Sequence, residues 1–216
     1  MIKDILNEIY NSGIISIVRG VEEAKLDQIV EALYNGGIRA IEITLNTPGA
    51  LRMIEHTKDK YGNKMLVGAG TALDAETTRS SILAGADFVL SPTLSVPMIR
   101  MCNQYSKLAV PGVLTPTEIL TAWKAGAQLV KVFPARAFGP AYIKDIKGPL
   151  EQVEIMPVGG VSLENSGQFI TNGAFALGIG SELVNKKWVE EDDFYKITET
   201  ATAFVNEIEK ARKKQD

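Results

Sequence analysis

The chain has 216 residues, 45% hydrophobic and 23% charged, a globular balance that rules out disorder as the main state. Its length suits one domain over residues 1–216, because single α/β barrels run to about 200–250 residues. Twenty-three basic against 26 acidic residues leave a net charge of −3 with the basic residues scattered, so no nucleic-acid partner is expected.

The opening MIKDILNEIY lacks the basic start, apolar centre and small-residue cleavage site of a secretory leader. Ile2, Ile5, Leu6 and Ile9 instead repeat at helical period and predict a helix ahead of the first strand. No apolar run approaches the roughly 18 residues of a membrane span, so a soluble, cytoplasmic protein with no membrane partner is expected.

Eight short apolar runs follow, each ended by Gly or Pro and separated by amphipathic stretches. They are Ile14–Val18, Ile38–Ile43, Met65–Val67, Phe88–Leu90, Leu108–Val110, Leu129–Phe133, Val153–Val158 and Phe175–Leu177. Starts roughly two dozen residues apart suit a strand, a helix and two short loops. Between them, Leu26, Ile29, Val30 and Leu33 mark a helix after the first strand. His56 stands in a polar helical stretch and reads as a solvated side chain. As the only histidine it excludes most zinc sites and any catalytic triad not built on it. Cys102, the only cysteine, cannot form an internal disulfide and reads as a small apolar residue on a helix. Thr115-Pro116-Thr117-Glu118 is a capping box with proline at the first helical position. Phe194, Ile197, Ala201, Phe204, Val205 and Ile208 draw a last helical stripe.

Asn35-Gly36-Gly37, Ala84-Gly85-Ala86, Ala125-Gly126-Ala127 and Asn172-Gly173-Ala174 each precede an even-numbered run. A glycine there closes a helix in a left-handed cap, and four such units make eight βα steps. The expected fold is therefore α/β: a closed (β/α)8 TIM barrel with an additional N-terminal helix and C-terminal helix. An open doubly wound sheet is the alternative, with fewer strands and a glycine-rich nucleotide turn.

A barrel of this kind carries its chemistry at the C-terminal ends of the strands. Those ends hold Arg19, Glu42, Thr44, Thr71, Ser91-Pro92, Pro111-Gly112, Lys131, Gly159-Gly160 and Gly180-Ser181. Lys131 lies in Leu129-Val130-Lys131-Val132-Phe133, and strand alternation sends Val130 and Val132 outward and Lys131 into the barrel. Two readings are open for it. It is either half of a structural Lys–Glu pair or an amine nucleophile. Imine formation needs the neutral amine, so its pKa must fall from about 10.4 towards about 7–8, a differential of about 4 kcal/mol. Burial by Leu129 and Phe133, helped by the Arg19 cation, can supply that shift. Glu42, flanked by Ile41 and Ile43, faces inward with Thr44 and suits proton transfer. Glycine pairs after the last two strands can hold a phosphate on backbone N–H groups, with the Ser181 hydroxyl as a further donor. Gly-x-Gly-x-x-Gly, Walker and Gly-x-Ser-x-Gly patterns do not occur.

These strand ends together resemble the aldolase family that cleaves 2-keto-3-deoxy-6-phosphogluconate and 4-hydroxy-2-oxoglutarate. The resemblance runs through Ile17-Val18-Arg19-Gly20, Ile41-Glu42-Ile43-Thr44-Leu45, Val67-Gly68-Ala69-Gly70-Thr71 and Leu90-Ser91-Pro92. It continues through Val110-Pro111-Gly112, Val130-Lys131-Val132-Phe133-Pro134, Gly159-Gly160-Val161 and Gly178-Ile179-Gly180-Ser181. It implies a homotrimeric, metal-free class I aldolase without cofactor, acting on a small keto-acid sugar phosphate. Lys131 is then the Schiff-base lysine and Glu42 the acid/base residue. Arg19 and Thr71 lie at the carboxylate end, Pro92 and Phe133 shape the pocket, and Gly159, Gly160, Gly180 and Ser181 cradle the phosphate. Its products are pyruvate and glyceraldehyde 3-phosphate, or glyoxylate from the shorter substrate. Asn46 replaces an arginine found in some members and Val158 a common threonine, features similar to the branch acting on the galactonate isomer. The rival readings are a phosphosugar isomerase or epimerase on the same barrel and a non-catalytic phosphometabolite-binding protein.

Overall fold

Short apolar strands and one-faced helices cannot bury themselves alone, so they stack in layers. The computed structural model describes residues 2–214. It opens with α1 (Ile2–Ser12), β1 (Ile14–Val18), α2 (Leu26–Asn35), β2 (Ala40–Thr44), α3 (Ala50–Tyr61) and β3 (Leu66–Gly70). Next come α4 (Ala75–Leu83), β4 (Phe88–Leu90), α5 (Val96–Gln104), β5 (Leu108–Val110), β6 (Gly112–Val113) and α6 (Pro116–Lys124). The chain ends through β7 (Leu129–Val132), α7 (Pro140–Lys147), β8 (Glu154–Pro157), α8 (Leu163–Thr171), β9 (Leu177–Ile179), α9 (Lys186–Glu190) and α10 (Phe194–Arg212). Among the described residues no helix is long and apolar enough to cross a membrane.

The fold is α/β with curled, all-parallel sheets. Six strands pair in the order β5-β4-β3-β2-β1-β9 and three in the order β6-β7-β8. The single ring of eight strands expected from the sequence is thus observed as two sheets. The fifth apolar run is observed whole as β5, and Pro111, which has no N–H to give to a ladder, separates it from the added short strand β6. Pro111 still accepts a hydrogen bond from the Lys131 N–H at 2.9 Å, which ties β7 beside the break. At the other edge a parallel bridge joins Val158 to Gly178. The third and last strands run further than their apolar runs, to Gly70 and Ile179, because Gly68, Gly70 and Gly178 lie inside strands.

Strand alternation separates two apolar layers. Ile14 and Val18 pack outward with Leu26, Ile29 and Leu33 of α2, while Ile15 and Ile17 share the interior with Ala40, Phe88, Leu108, Leu129 and Met156. Ile5 and Ile9 of α1 join that inner cluster, so the added N-terminal helix fills the end of the interior where the strands begin. α10 lies across α2 and α8. The four repeated helix ends carry Gly37, Gly85, Gly126 and Gly173 at φ of 94–101°, the left-handed closure their pattern predicts. The capping box forms, with Thr115 and Glu118 bonding each other's backbone N–H. Cys102 is buried against Met98, and burial pushes its thiol up to about 12. His56 is exposed beside Asp27, at 3.0 Å.

Gly68 shows how tightly the interior is filled. A Cβ there would lie 2.2 Å from the ring of Phe88, its register partner on β4. Gly68→Ala is expected to cost about 1–3 kcal/mol in urea unfolding through overpacking. Pairing it with Phe88→Leu should recover much of that loss. Strict additivity of the two substitutions would show that they do not compete for the same space.

Candidate active site

β7 carries Lys131 inward between outward Val130 and Val132, with Gly112 and Met156 as register neighbours. Only 3% of the side chain is exposed. On β2, Ile41 and Ile43 pack outward and Glu42 faces in, 1% exposed. Space for its carboxylate comes from Gly70, where a Cβ would lie 1.6 Å from Glu42 Oε2. Neither carboxylate oxygen has a hydrogen-bond partner among the described residues. A buried carboxylate in that state is driven towards its neutral form.

The electrostatics follow. Burial lowers the Lys131 pKa, Glu42 opposes the shift and the Arg19 cation adds to it. Burial likewise raises the Glu42 pKa, against the pull of Lys131 and Arg19. Both groups move towards their uncharged forms, the state an attacking amine needs. The Phe133 ring stands with its centroid 4.9 Å from Lys131 Nζ. At 37% exposure the ring stands at the cavity mouth and lies over the amine, while Leu129 and Met156 belong to the apolar cluster of the interior.

Arg19 leaves the end of β1 and its Nη2 donates to Thr71 Oγ1 at 3.4 Å. Thr71 has φ of 62°, a left-handed conformation that costs a β-branched residue roughly 1–2 kcal/mol. That conformation sets its hydroxyl beside Arg19. A second tie holds the same loop: the Gly20 N–H donates to Thr47 Oγ1 at 2.9 Å, and Thr47 Oγ1 lies 3.0 Å from Thr44 Oγ1. Thr47 is buried and escaped the sequence reading, which followed strand ends and not the turn after β2.

Above Lys131 opens a cavity of about 240 Å³. It brings together Arg19, Lys131, Phe133, Gly159, Gly160, Gly180 and Ser181, with Arg136 and Ser162 added to those the sequence singled out. Thr71 reaches it through Arg19, and Glu42 lies buried in the field of Lys131. Pro92 is not part of the lining. Its backbone packs where a Gly112 Cβ would stand, 2.3 Å away, beside the start of β6. Asn46 lines a larger neighbouring hollow of about 680 Å³ with Pro48, Arg52, Thr77 and Ser80. That hollow contains no buried ionisable pair. Among the described residues no group of three or more His, Cys, Asp or Glu side chains could hold a metal ion.

A family model for KDPG and KHG aldolases matches residues 5–200. A 2-dehydro-3-deoxy-6-phosphogalactonate aldolase from Escherichia coli K12 is 39% identical over 171 residues, 79% of this chain and 83% of that one. A solved structure of native KDPGal superposes with a TM-score of 0.87 at 36% identity, over 93% of this chain and 96% of that one. A KDPG aldolase from Legionella pneumophila, with pyruvate captured as a covalent carbinolamine, superposes with a TM-score of 0.86 at 27% identity, covering 92% and 97%. The protein is thus an aldolase, a carbon–carbon lyase. It belongs to the KDPG and KHG aldolase family.

The charges around Lys131 give opposed expectations. Removing the Glu42 charge in Glu42→Gln should lower the Lys131 pKa further and move the alkaline rise of amine reactivity to lower pH. Removing the cation in Arg19→Gln should raise that pKa and move the rise to higher pH. The pH profile of Lys131 acetylation, followed by peptide mass mapping, reads both. Shifts of the same sign would refute this account of the charges.

Proposed function

We propose that this protein is a class I aldolase that cleaves a 2-keto-3-deoxy-6-phospho sugar acid to pyruvate and glyceraldehyde 3-phosphate, with Lys131 as the amine nucleophile. The observation that carries the reading is the buried Lys131 amine, turned inward, pushed towards neutrality and within the field of the partnerless, buried carboxyl of Glu42. Lys131 Nζ adds to the C2 carbonyl, and loss of water gives the protonated imine. The C4 hydroxyl then gives up its proton as the C3–C4 pair moves onto the imine, leaving pyruvate enamine and the aldehyde phosphate. Protonation at C3 and hydrolysis release pyruvate and restore the amine. Glu42 acts as acid and base in these transfers, contributing about 10²–10⁴-fold.

Arg19, oriented by Thr71, takes the substrate carboxylate, for which a guanidinium fork is suited. Phe133 borders the reacting carbons, and Gly159, Gly160, Gly180 and Ser181 hold the distal phosphate. The Pro111 carbonyl and the Val158–Gly178 bridge support reading the two sheets as one closed (β/α)8 barrel forming a single domain. A cytoplasmic homotrimer is the state the family resemblance implies.

Between the two sugar-acid isomers, galactonate is favoured by the 39% identity to the E. coli galactonate enzyme and by Asn46 and Val158. kcat/KM for 2-keto-3-deoxy-6-phosphogalactonate is expected to exceed that for the gluconate isomer. The reverse order would place this chain with the gluconate branch.

Borohydride reduction with pyruvate, followed by peptide mapping, tests the nucleophile. One reduced pyruvyl adduct is expected, on Lys131, and Lys131→Ala should fold yet lose both adduct and cleavage. A folded native protein that traps no pyruvate would point to the isomerase or binding-protein readings.

A further inference from the structure

Three basic side chains line the Lys131 cavity, and two already have work beside the reacting carbons. Arg19 is tied to Thr71, and Lys131 lies against Phe133. Arg136 is the third. It sits in a short 3-10 turn, Ala135–Ala137, two residues past Pro134 and opposite the glycine loop after β8.

Its main chain is pinned there. The Arg136 N–H donates to the Gly159 carbonyl at 2.8 Å, and a Cβ on Gly160 would lie 2.4 Å from Arg136 Cβ. Only a glycine at 160 lets the two segments approach so closely. The guanidinium, by contrast, makes no hydrogen bond, ion pair or ring contact among the described residues. Glu182 lines the same cavity and is not paired with it. A fixed stem with an unpaired planar cation at a cavity wall suits an anion arriving from outside.

We propose that Arg136 is a specificity-determining residue that reads the distal phosphate, and that it sets the preference for phosphorylated over unphosphorylated keto acids. The proposal rests on the aldolase reading and adds the substrate class. Backbone N–H groups of the glycine loops serve any oxygen-rich end, hydroxyl or phosphate alike. A guanidinium beside them favours the doubly charged end, and it offsets the repulsion that Glu182 would exert on a phosphate.

The test compares the native enzyme with Arg136→Gln and Arg136→Lys on a 2-keto-3-deoxy-6-phospho acid and on the same acid without phosphate. The ratio of kcat/KM values, phosphorylated over unphosphorylated, is expected to fall about 10- to 100-fold in Arg136→Gln, the loss appearing in KM. Arg136→Lys should recover part of it. An unchanged ratio overturns the proposal, and so does an equal loss on both substrates, which would mark Arg136 as structural. Calorimetry with glycerol 3-phosphate supplies a readout without turnover, and at least about 10-fold weaker binding is expected for Arg136→Gln. Equal binding by native protein and variant overturns the proposal. Should the native protein cleave neither acid, the aldolase reading fails, and this binding comparison still decides the role of Arg136.

Discussion

Two ionisable side chains on separate strands share an apolar interior, and much of the structure serves to keep them there. Moving a carboxylate or an ammonium out of water costs several kcal/mol even after relaxation. A close ion pair would recover part of that cost, but it would also fix Lys131 as a cation. Here the Glu42 oxygens have no hydrogen-bond partner, and burial dominates the pKa shifts of both groups. Burial instead moves both groups towards their uncharged forms. Under the proposed reaction, that shift trades stability for a reactive amine, as strained functional sites commonly do.

Holding the pair requires an interior shaped by missing side chains. Gly68 makes room for Phe88, Gly70 for the Glu42 carboxylate and Gly178 for Val158, where a Cβ would meet Val158 Cγ2 at 2.5 Å. In each case a glycine inside a strand stands next to a large group from its neighbour. Small and large residues interleave so that the core closes at native density. α1 seals the interior where the strands begin, leaving polar side chains to collect where the strands end.

Period-2 alternation made the fold's polarity legible. Lys131 and Glu42 each interrupt a run of outward Val or Ile, and the same alternation that predicts a strand also predicts which way the charge points. Helix closures were legible too, because a glycine at φ near 100° leaves a repeated mark in the sequence. The in-strand glycines were not, since a glycine that yields volume to another strand is spelled like one that ends a strand. The short strand β6 beyond Pro111 was not legible, because Gly112-Val113 is too brief to stand out as an apolar run. Pro92 lies at a strand end as expected, yet its backbone packs on Gly112 and away from the Lys131 cavity. Arg136 and Thr47 went unseen because their importance arises from loops that meet only in three dimensions.

The placement of Arg19 unites these features under the proposed reaction. Its positive field pushes the Lys131 amine towards neutrality and the Glu42 carboxyl towards ionisation. Both effects suit the free enzyme, which needs a nucleophile and a proton acceptor. Once a substrate carboxylate docks on the guanidinium, it cancels much of that field at short range. The nitrogen of Lys131, by then an imine, is freer to hold a proton, and carbon–carbon cleavage needs that positive charge as its electron sink. Thr71 in its left-handed conformation, and the Thr44–Thr47–Gly20 tie beneath the loop, fix the distance over which this exchange acts. The strain and burial around β1 and β2 therefore serve the timing of charge at Lys131 as well as the shape of the cavity.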